Sequence, residues 1–541
     1  MQKNGVLLFL LFFILACSSS SLFFERKIKR ELASLPPQSA RGYLSTPPSH
    51  SICEEFERFQ REAPSCPKNG TALLPDHYPM LATVVSDAEG IRAQVSVRYV
   101  MAILRAQPEF PPRIFLMATR ETQLALKNEI ENGAPSQAVA ERWLAAVTLL
   151  PPASGYIWMQ DAFQAYFDRQ TGRPVLRDVE SYYRYGSVID ENIEKKYPRN
   201  LQAMTLLTET LLQQCGAIRG ELLPASVKND RPISADFGGN LEAVPGGLCV
   251  VGNREFGIST SSKKRMAAWR WISSDPHQNR IVFSPPQIST SKPSVDFNEF
   301  LNARCEPGSH IVAETDGILQ VGHIDEIFKT IRDPRKKAPC DFQFLIASPS
   351  AAVRLLEQNP NEPAFDFQLE ESEVEPLFER GAGYRRLCQK LEKDSPQACL
   401  SIKNADLLQL FRQDPALIEL MRRASQQVDS FRTELFKKTK ERTSCEPEVI
   451  EVPTLFFGEA IKEKKPMRLK WQNSLYPNLA NSEFIGTTVL SPDPVNPTFR
   501  REMQRLYKSR GLKVQFIETS HLHQVFGNLH CVTNSIRYCR P

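Results

Sequence analysis

The sequence has no marked excess of either charge. Its 67 Lys and Arg against 62 Asp and Glu leave +5 over 541 residues, too weak a balance for a dedicated nucleic-acid binder. It has no run of about 20 apolar residues, so no stretch is long enough to cross a bilayer core as a helix. Glycine is scarce beside proline, 25 against 40, which points to long, stiffened connections and away from low-complexity chain. No internal repeat is visible. Cysteine is the residue in surplus. Twelve of them exceed what a reduced cytosolic chain of this kind carries, and so point to export. The length allows two to four domains, or one large domain with appendages.

The N-terminus agrees with export. Lys3 precedes an apolar run from Val6 to Ala16, and Cys17 follows at once. A short apolar run behind one positive charge is a signal-peptide core and not a membrane span. Ile14-Leu15-Ala16-Cys17 resembles a bacterial lipoprotein box, with Leu15 bulkier than usual there. That resemblance implies lipidation at Cys17, a signal peptide over 1–17 and a membrane-anchored protein of the cell envelope; plain secretion is the other outcome. Residues 18–79, with Pro36-Pro37 and Pro47-Pro48, read as a tether with one short helix near Glu54–Glu62.

From about residue 80 the pattern is that of a folded domain. Arg92 to Val100 alternates polar and apolar, which predicts a half-buried strand. Ile114–Met117 reads as a strand, and Ser136 as the N-cap of a helix running to Val147. Thr454–Phe457 and Leu512–Ile517 read as strands, and Phe499–Ser509 as a helix. Such interleaving is an α/β or α+β signature. Between about 357 and 440 the chain is charged and helical in pattern. Leu417, Met421, Ala424, Val428, Phe431 and Leu435 recur there at helical spacing, as a core-facing stripe does.

Four places carry unusual chemistry. Trp158-Met159-Gln160-Asp161 sets an aromatic wall beside a carboxylate, which suits a flat guanidinium cation. Asp236-Phe237-Gly238-Gly239-Asn240-Leu241-Glu242 contains paired glycines that allow close backbone approach. Gly322-His323-Ile324-Asp325-Glu326 follows an apolar stretch; on a strand His323 and Asp325 would share one face, giving a proton shuttle beside an anchor for a cation. Gly527-Asn528-Leu529-His530-Cys531 places a cysteine in a polar loop, as a nucleophile is placed. Each pattern alone is also what a core tryptophan, a tight turn, a surface His–Asp pair or a half-cystine produces.

In that order, the four resemble the catalytic domain of the protein-arginine deiminases. Leu345–Pro349 also looks like that family's strand after the His–Asp motif. The resemblance covers about residues 80–541. It implies an α/β fold built as a five-bladed, pseudo-symmetric propeller, the pentein architecture of guanidine-modifying enzymes, here with a helical insertion at about 357–440. It also implies hydrolytic deimination of arginine side chains in proteins or peptides to citrulline. Cys531 would be the nucleophile, Asp161 and Asp325 would grip the guanidinium, His323 would move protons, and Trp158 would wall the side-chain tunnel. Arg184, in Tyr183-Arg184-Tyr185-Gly186, is the nearest match to the family's backbone-holding arginine.

The animal enzymes require calcium. Here Ala162 and Gln164 stand where the family has acidic residues, leaving Gln160, Gln164 and Glu242 as ligands with few charges. Calcium wants several hard oxygens, so weak or absent calcium dependence is expected and no cofactor is required. Val532 replaces the glycine after the catalytic cysteine. The alternatives are a deiminase of a small free guanidine such as arginine or agmatine, a zinc site built from His521, His523, His530 and Cys531, and an inactive arginine-binding lipoprotein. With Cys17 lipidated and Cys531 free, ten cysteines remain for disulfides, Cys53–Cys66 and Cys388–Cys399 first among them.

Overall fold

The computed structural model describes residues 71–87, 94–152, 164–168, 173–177, 207, 210–211, 218–219, 227–228, 231–232, 239, 241–252, 305, 309–315, 318–319, 323–369, 371–380, 382–393, 395–461, 468–523 and 527–539. Among these, five sheets repeat one strand order. An antiparallel pair comes first, and a third strand then runs parallel to the pair's second member. Gln164–Asp168, Arg173–Arg177 and Ile218–Arg219 are so arranged. So are Leu241–Val244, Leu248–Gly252 and His310–Ala313, Phe328–Arg332, Phe342–Ser348 and Glu448–Pro453, and Glu483–Ile485, Thr488–Pro492 and Lys513–Ile517. The fifth sheet joins distant parts of the chain. Thr533–Arg537 lies antiparallel to Met80–Ser86, which runs parallel to Arg113–Met117. The α/β class is established. The described strands form separate sheets that share a strand order; the expected five-bladed propeller is not shown among them.

Parallel neighbours need a crossover, and helices supply it in three of these sheets. Gln94–Ala106 connects Met80–Ser86 to Arg113–Met117, and Pro497–Ser509 connects Thr488–Pro492 to Lys513–Ile517. The charged block expected to be helical holds the crossover between Phe342–Ser348 and Glu448–Pro453. It contains several helices, ending in the 29-residue Pro415–Thr443. Asp414 caps that helix by accepting hydrogen bonds from the Ala416 and Leu417 amides, at 2.9 and 3.2 Å. Leu417, Ala424, Val428, Phe431 and Leu435 are buried, with Met421 partly so, so the stripe packs inward as its spacing predicts. From Leu420 onward it covers Ile324, Phe328 and Phe344.

Two local expectations are corrected. The strand expected over Arg92–Val100 is not found: its described part, from Gln94 on, belongs to the helix Gln94–Ala106. Val95, Val97 and Tyr99 to Leu104 are all buried, and a helix covered on nearly every side shows no polar face to reveal its period. Thr454–Phe457 is not one strand. The chain leaves one sheet at Pro453 and enters another at Phe456, with Thr454 and Leu455 between. Ile114–Met117 and Phe499–Ser509 fall in elements of the expected type, and the strand expected over Leu512–Ile517 runs from Lys513 to Ile517. The Ser136 hydroxyl caps the helix Gln137–Ala146 as expected.

Candidate active site

The last strand fixes the thiol. A single 3₁₀ turn, His530–Val532, leads directly into Thr533–Arg537 and holds Cys531 in the protein interior. Among the described cysteines, Cys531 is the one not in a disulfide. Disulfides join Cys249 to Cys305, Cys340 to Cys445 and Cys388 to Cys399, and Cys539 is also disulfide-bonded. Cys388–Cys399 is the pairing expected from the sequence; Cys53–Cys66 lies outside the described residues.

His323 and Asp325 do not sit on a strand. His323 caps a 3₁₀ turn, Ile324–Glu326, ahead of Phe328–Arg332. All residues from His323 to Ile331 are buried, a pattern that an alternating strand with one wet face cannot give. The two functional groups still meet, at Gly239. A Cβ built there would lie 2.8 Å from His323 Nδ1 and 3.1 Å from Asp325 Oδ2. Gly239 thus provides the close backbone approach that glycine permits.

Asp325 is completely buried, and its Oδ2 is the hub. Asn481 Nδ2 donates to it at 2.8 Å, His530 Nδ1 lies at 3.0 Å and Cys531 Sγ at 3.7 Å. Its Oδ1 has no hydrogen-bond partner, so one buried carboxylate oxygen is left for an incoming donor. Burial opposes ionisation of Asp325, but the His530 hydrogen bond and the nearby positive charge hold its carboxyl below the usual range. Asn481 brackets the thiol from the other side. Its Nδ2 reaches Cys531 Sγ at 3.2 Å, and its Oδ1 accepts from the His530 amide at 2.8 Å.

Behind this lies a buried ionic cluster. Lys329 Nζ is 2.5 Å from Asp76 Oδ2 and 3.0 Å from Glu242 Oε1. It is also 2.5 Å from His530 Nε2. Burial works against the ammonium, yet Asp76 and Glu242 outweigh it and hold Lys329 above the usual lysine range. An ammonium only donates, so Nε2 of His530 accepts and Nδ1 carries its proton toward Asp325. Arg537 pairs with Asp76 at 3.1 Å and with Glu483. Burial pushes the Glu242 carboxyl up to about 7, against the pull of Lys329. Four carboxyl groups, Asp76, Glu242, Asp325 and Glu483, thus share this buried cluster with the cationic side chains of Lys329 and Arg537.

Sequence reasoning missed Asn481, Lys329 and Asp76, and read His530 only as a zinc ligand. Lys329 left a signal, as a lone lysine inside the apolar Phe328–Ile331. Asn481, in Asn478-Leu479-Ala480-Asn481, left none. Of the predicted residues, Trp158, Gln160, Asp161, Arg184 and Cys17 lie outside the described ones, and Gln164 begins the strand Gln164–Asp168. The zinc set is not assembled as expected. His521 and His523 lie on a short helix, and His523 Nε2 donates to the Leu475 carbonyl at 3.3 Å. Among the described residues, the group of three with ligand atoms within 4.8 Å of one another is Glu242, Asp325 and His530.

Comparison with known proteins gives the arrangement a context. The model of the family described as "Protein-arginine deiminase (PAD)" matches residues 280–540. No curated protein sequence matches the chain. Among solved structures, an agmatine deiminase of C. jejuni with substrate bound is 12% identical with a TM-score of 0.37, covering 87% of this chain and 97% of that one. A Porphyromonas gingivalis protein assigned as an arginine deiminase is 14% identical with a TM-score of 0.39, covering 86% and 98%. Residues 280–540, with His323, Asp325 and Cys531 among them, are a domain of the protein-arginine deiminase family.

Proposed function

We propose that the chain hydrolyses the guanidino C–N bond of arginine side chains in proteins or peptides, giving citrulline and ammonia. The observation that carries this is the buried, unoxidised Cys531 thiol 3.7 Å from Asp325, with Asp325 Oδ1 unpartnered, inside the matched family domain. A guanidinium is planar and donates several N–H bonds, so a carboxylate oxygen grips it and fixes its orientation for attack. Asp325 Oδ1 supplies one such grip, and Asp161 supplies the second. Thiolate and carboxylate repel each other, and the cation between them favours both charged forms.

The Cys531 sulfur then bonds to the guanidinium carbon. That carbon loses one nitrogen as ammonia, which takes a proton from His323. A positively charged S-alkylthiouronium remains. His323, now neutral, takes a proton from water as the water oxygen bonds to the same carbon. The C–S bond breaks, the electron pair returns to sulfur, the remaining hydroxyl proton passes to water or to the released ammonia, and citrulline leaves. One positive charge is lost per residue modified. The reading places the protein outside the cytoplasm on a lipid anchor at Cys17; the disulfides among the described residues support an oxidising compartment.

The test is citrulline formation on an arginine-containing peptide, on free arginine and on agmatine, with wild type and Cys531→Ala. Turnover of the peptide is expected, with a loss of roughly 10⁴-fold or more in the variant. Turnover of agmatine or free arginine alone would move the substrate class to small guanidines. No ammonia from any of the three would remove the activity, and wild-type turnover in Cys531→Ala would remove the nucleophile.

A further inference from the structure

We infer that the Lys329 ammonium is a built-in cation of this site: it takes the place at Glu242 and His530 that a divalent ion would need, and it positions His530 and, through it, Asp325. The family resemblance implies calcium, with Glu242 among its ligands. The residues present do not fit calcium. Glu242, Asp325 and His530 do offer three ligand atoms within 4.8 Å of one another. One of them is an imidazole nitrogen, however, where calcium prefers oxygen throughout. More decisively, a cation is already there. Lys329 Nζ lies 3.0 Å from Glu242 Oε1 and 2.5 Å from His530 Nε2. A calcium ion bonded to Glu242 at about 2.3–2.6 Å would meet that ammonium at close range in a buried site, where repulsion is strong.

The ammonium cannot easily move aside. Lys329 is fully buried on a strand held by Phe342–Ser348, and Asp76 grips it from a further direction. Its second effect is on orientation. By donating to Nε2 it fixes the His530 tautomer with the proton on Nδ1, and that proton engages Asp325 Oδ2. Oδ1 is thereby left without a hydrogen-bond partner. Lys329 is thus a positioning residue. It does for Asp325 what an outer partner does for a metal ligand, fixing its direction from behind. This second half rests on the deiminase reading, whereas the exclusion of the ion does not.

The test uses the full chain. Calorimetric titration of metal-free protein with calcium, and with zinc as a probe suited to a mixed oxygen and nitrogen set, is run on wild type, Glu242→Gln and Lys329→Met. No binding that depends on Glu242 is expected in wild type. Lys329→Met is expected to gain a site that a further Glu242→Gln change removes. Wild-type citrulline formation should agree within about 2-fold between excess chelator and added calcium, while Lys329→Met should lose about 10-fold or more in kcat with KM little changed and a displaced pH profile. Lys329→Arg should recover part of that loss. If Lys329→Met alone does not fold, Lys329→Met with Asp76→Asn restores the charge balance.

A wild-type site abolished by Glu242→Gln, or a calcium requirement in wild type, overturns the built-in cation, as does Lys329→Met without a gained site. Wild-type kcat and pH profile in Lys329→Met overturn the positioning role. If wild type deiminates nothing, the proposed function fails, and the calorimetric arm still decides the cation.

Discussion

A methyl group at position 239 has no room. It would stand 2.8 Å from His323 Nδ1 and 3.1 Å from Asp325 Oδ2, closer than carbon approaches either atom without displacement. The imidazole and the carboxylate would have to turn, and misplacing a reacting group by about 1 Å costs on the order of 10²-fold in rate. Gly239→Ala should therefore lower kcat about 10- to 100-fold while leaving the thermal midpoint nearly unchanged. Steady-state kinetics beside a melting curve checks this, and a wild-type rate would mean the backbone there is not in contact with the pair. Asn481 differs, because it bonds to several groups at once: Asp325, Cys531 and the His530 amide. Asn481→Ala strands buried polar atoms and should cost about 1–3 kcal/mol of stability as well as activity. Denaturant unfolding reads the first and citrulline formation the second. Asn481→Asp should be the more damaging of the two in catalysis, since it adds a carboxylate beside Asp325.

At the scale of elements, the long helix Pro415–Thr443 matters to the site although it carries none of its residues. Phe431 packs edge-on against Phe328 at 5.4 Å, and Phe328 begins the strand that carries Lys329. Truncating it would leave a cavity under that strand. Phe431→Ala should destabilise the fold by about 3–5 kcal/mol, measured by denaturant midpoint, with KM for substrate close to wild type under conditions where the variant is folded. The stripe that includes Phe431 was legible in the sequence because one face of this helix is wet and the other dry. Gln94–Ala106 was illegible for the opposite reason: buried nearly all round, it has no polar face, and Ser96 and Arg98 between Val95, Val97 and Tyr99 imitate a strand. The His323–Asp325 turn was misread in the same way, since consecutive burial erases the alternation on which a strand assignment depends. The chemistry itself stood in the sequence as short motifs. The residues that orient it, Asn481 and Lys329, act through long-range contacts that no local pattern encodes.

Across the whole molecule, the repeated unit is a strand order and not a sequence period. One crossover is the single helix Pro497–Ser509, whereas another contains the entire block between Ser348 and Glu448. Unequal connections of this kind hide a repeated strand order from any search for spacing. They also place the site residues far apart in the chain. Asp76, Glu242, Lys329 and His530 converge only when their sheets have formed, so the site and the fold should be lost together. Acid should act on this coupling through two buried histidines, while Glu242, pushed up to about 7, titrates in the same range with or without them. Burial pushes His77 down to about 3 and His523 down to about 4, against about 6.5 in the unfolded chain. Above about pH 6.5 both are neutral in either state and contribute no pH dependence. As pH falls below that, the unfolded chain binds protons that the folded one refuses, so stability drops by about 1.4 kcal/mol per pH unit for each histidine. The loss from His523 ends near its folded value, and that from His77 about one unit lower. Chemical unfolding between about pH 6 and 5 should therefore show wild type losing stability faster than a His77→Gln, His523→Gln double variant, by roughly 2–3 kcal/mol per unit. Parallel curves for the two proteins would mean that these imidazoles are already protonated, or accessible to water, in the folded state.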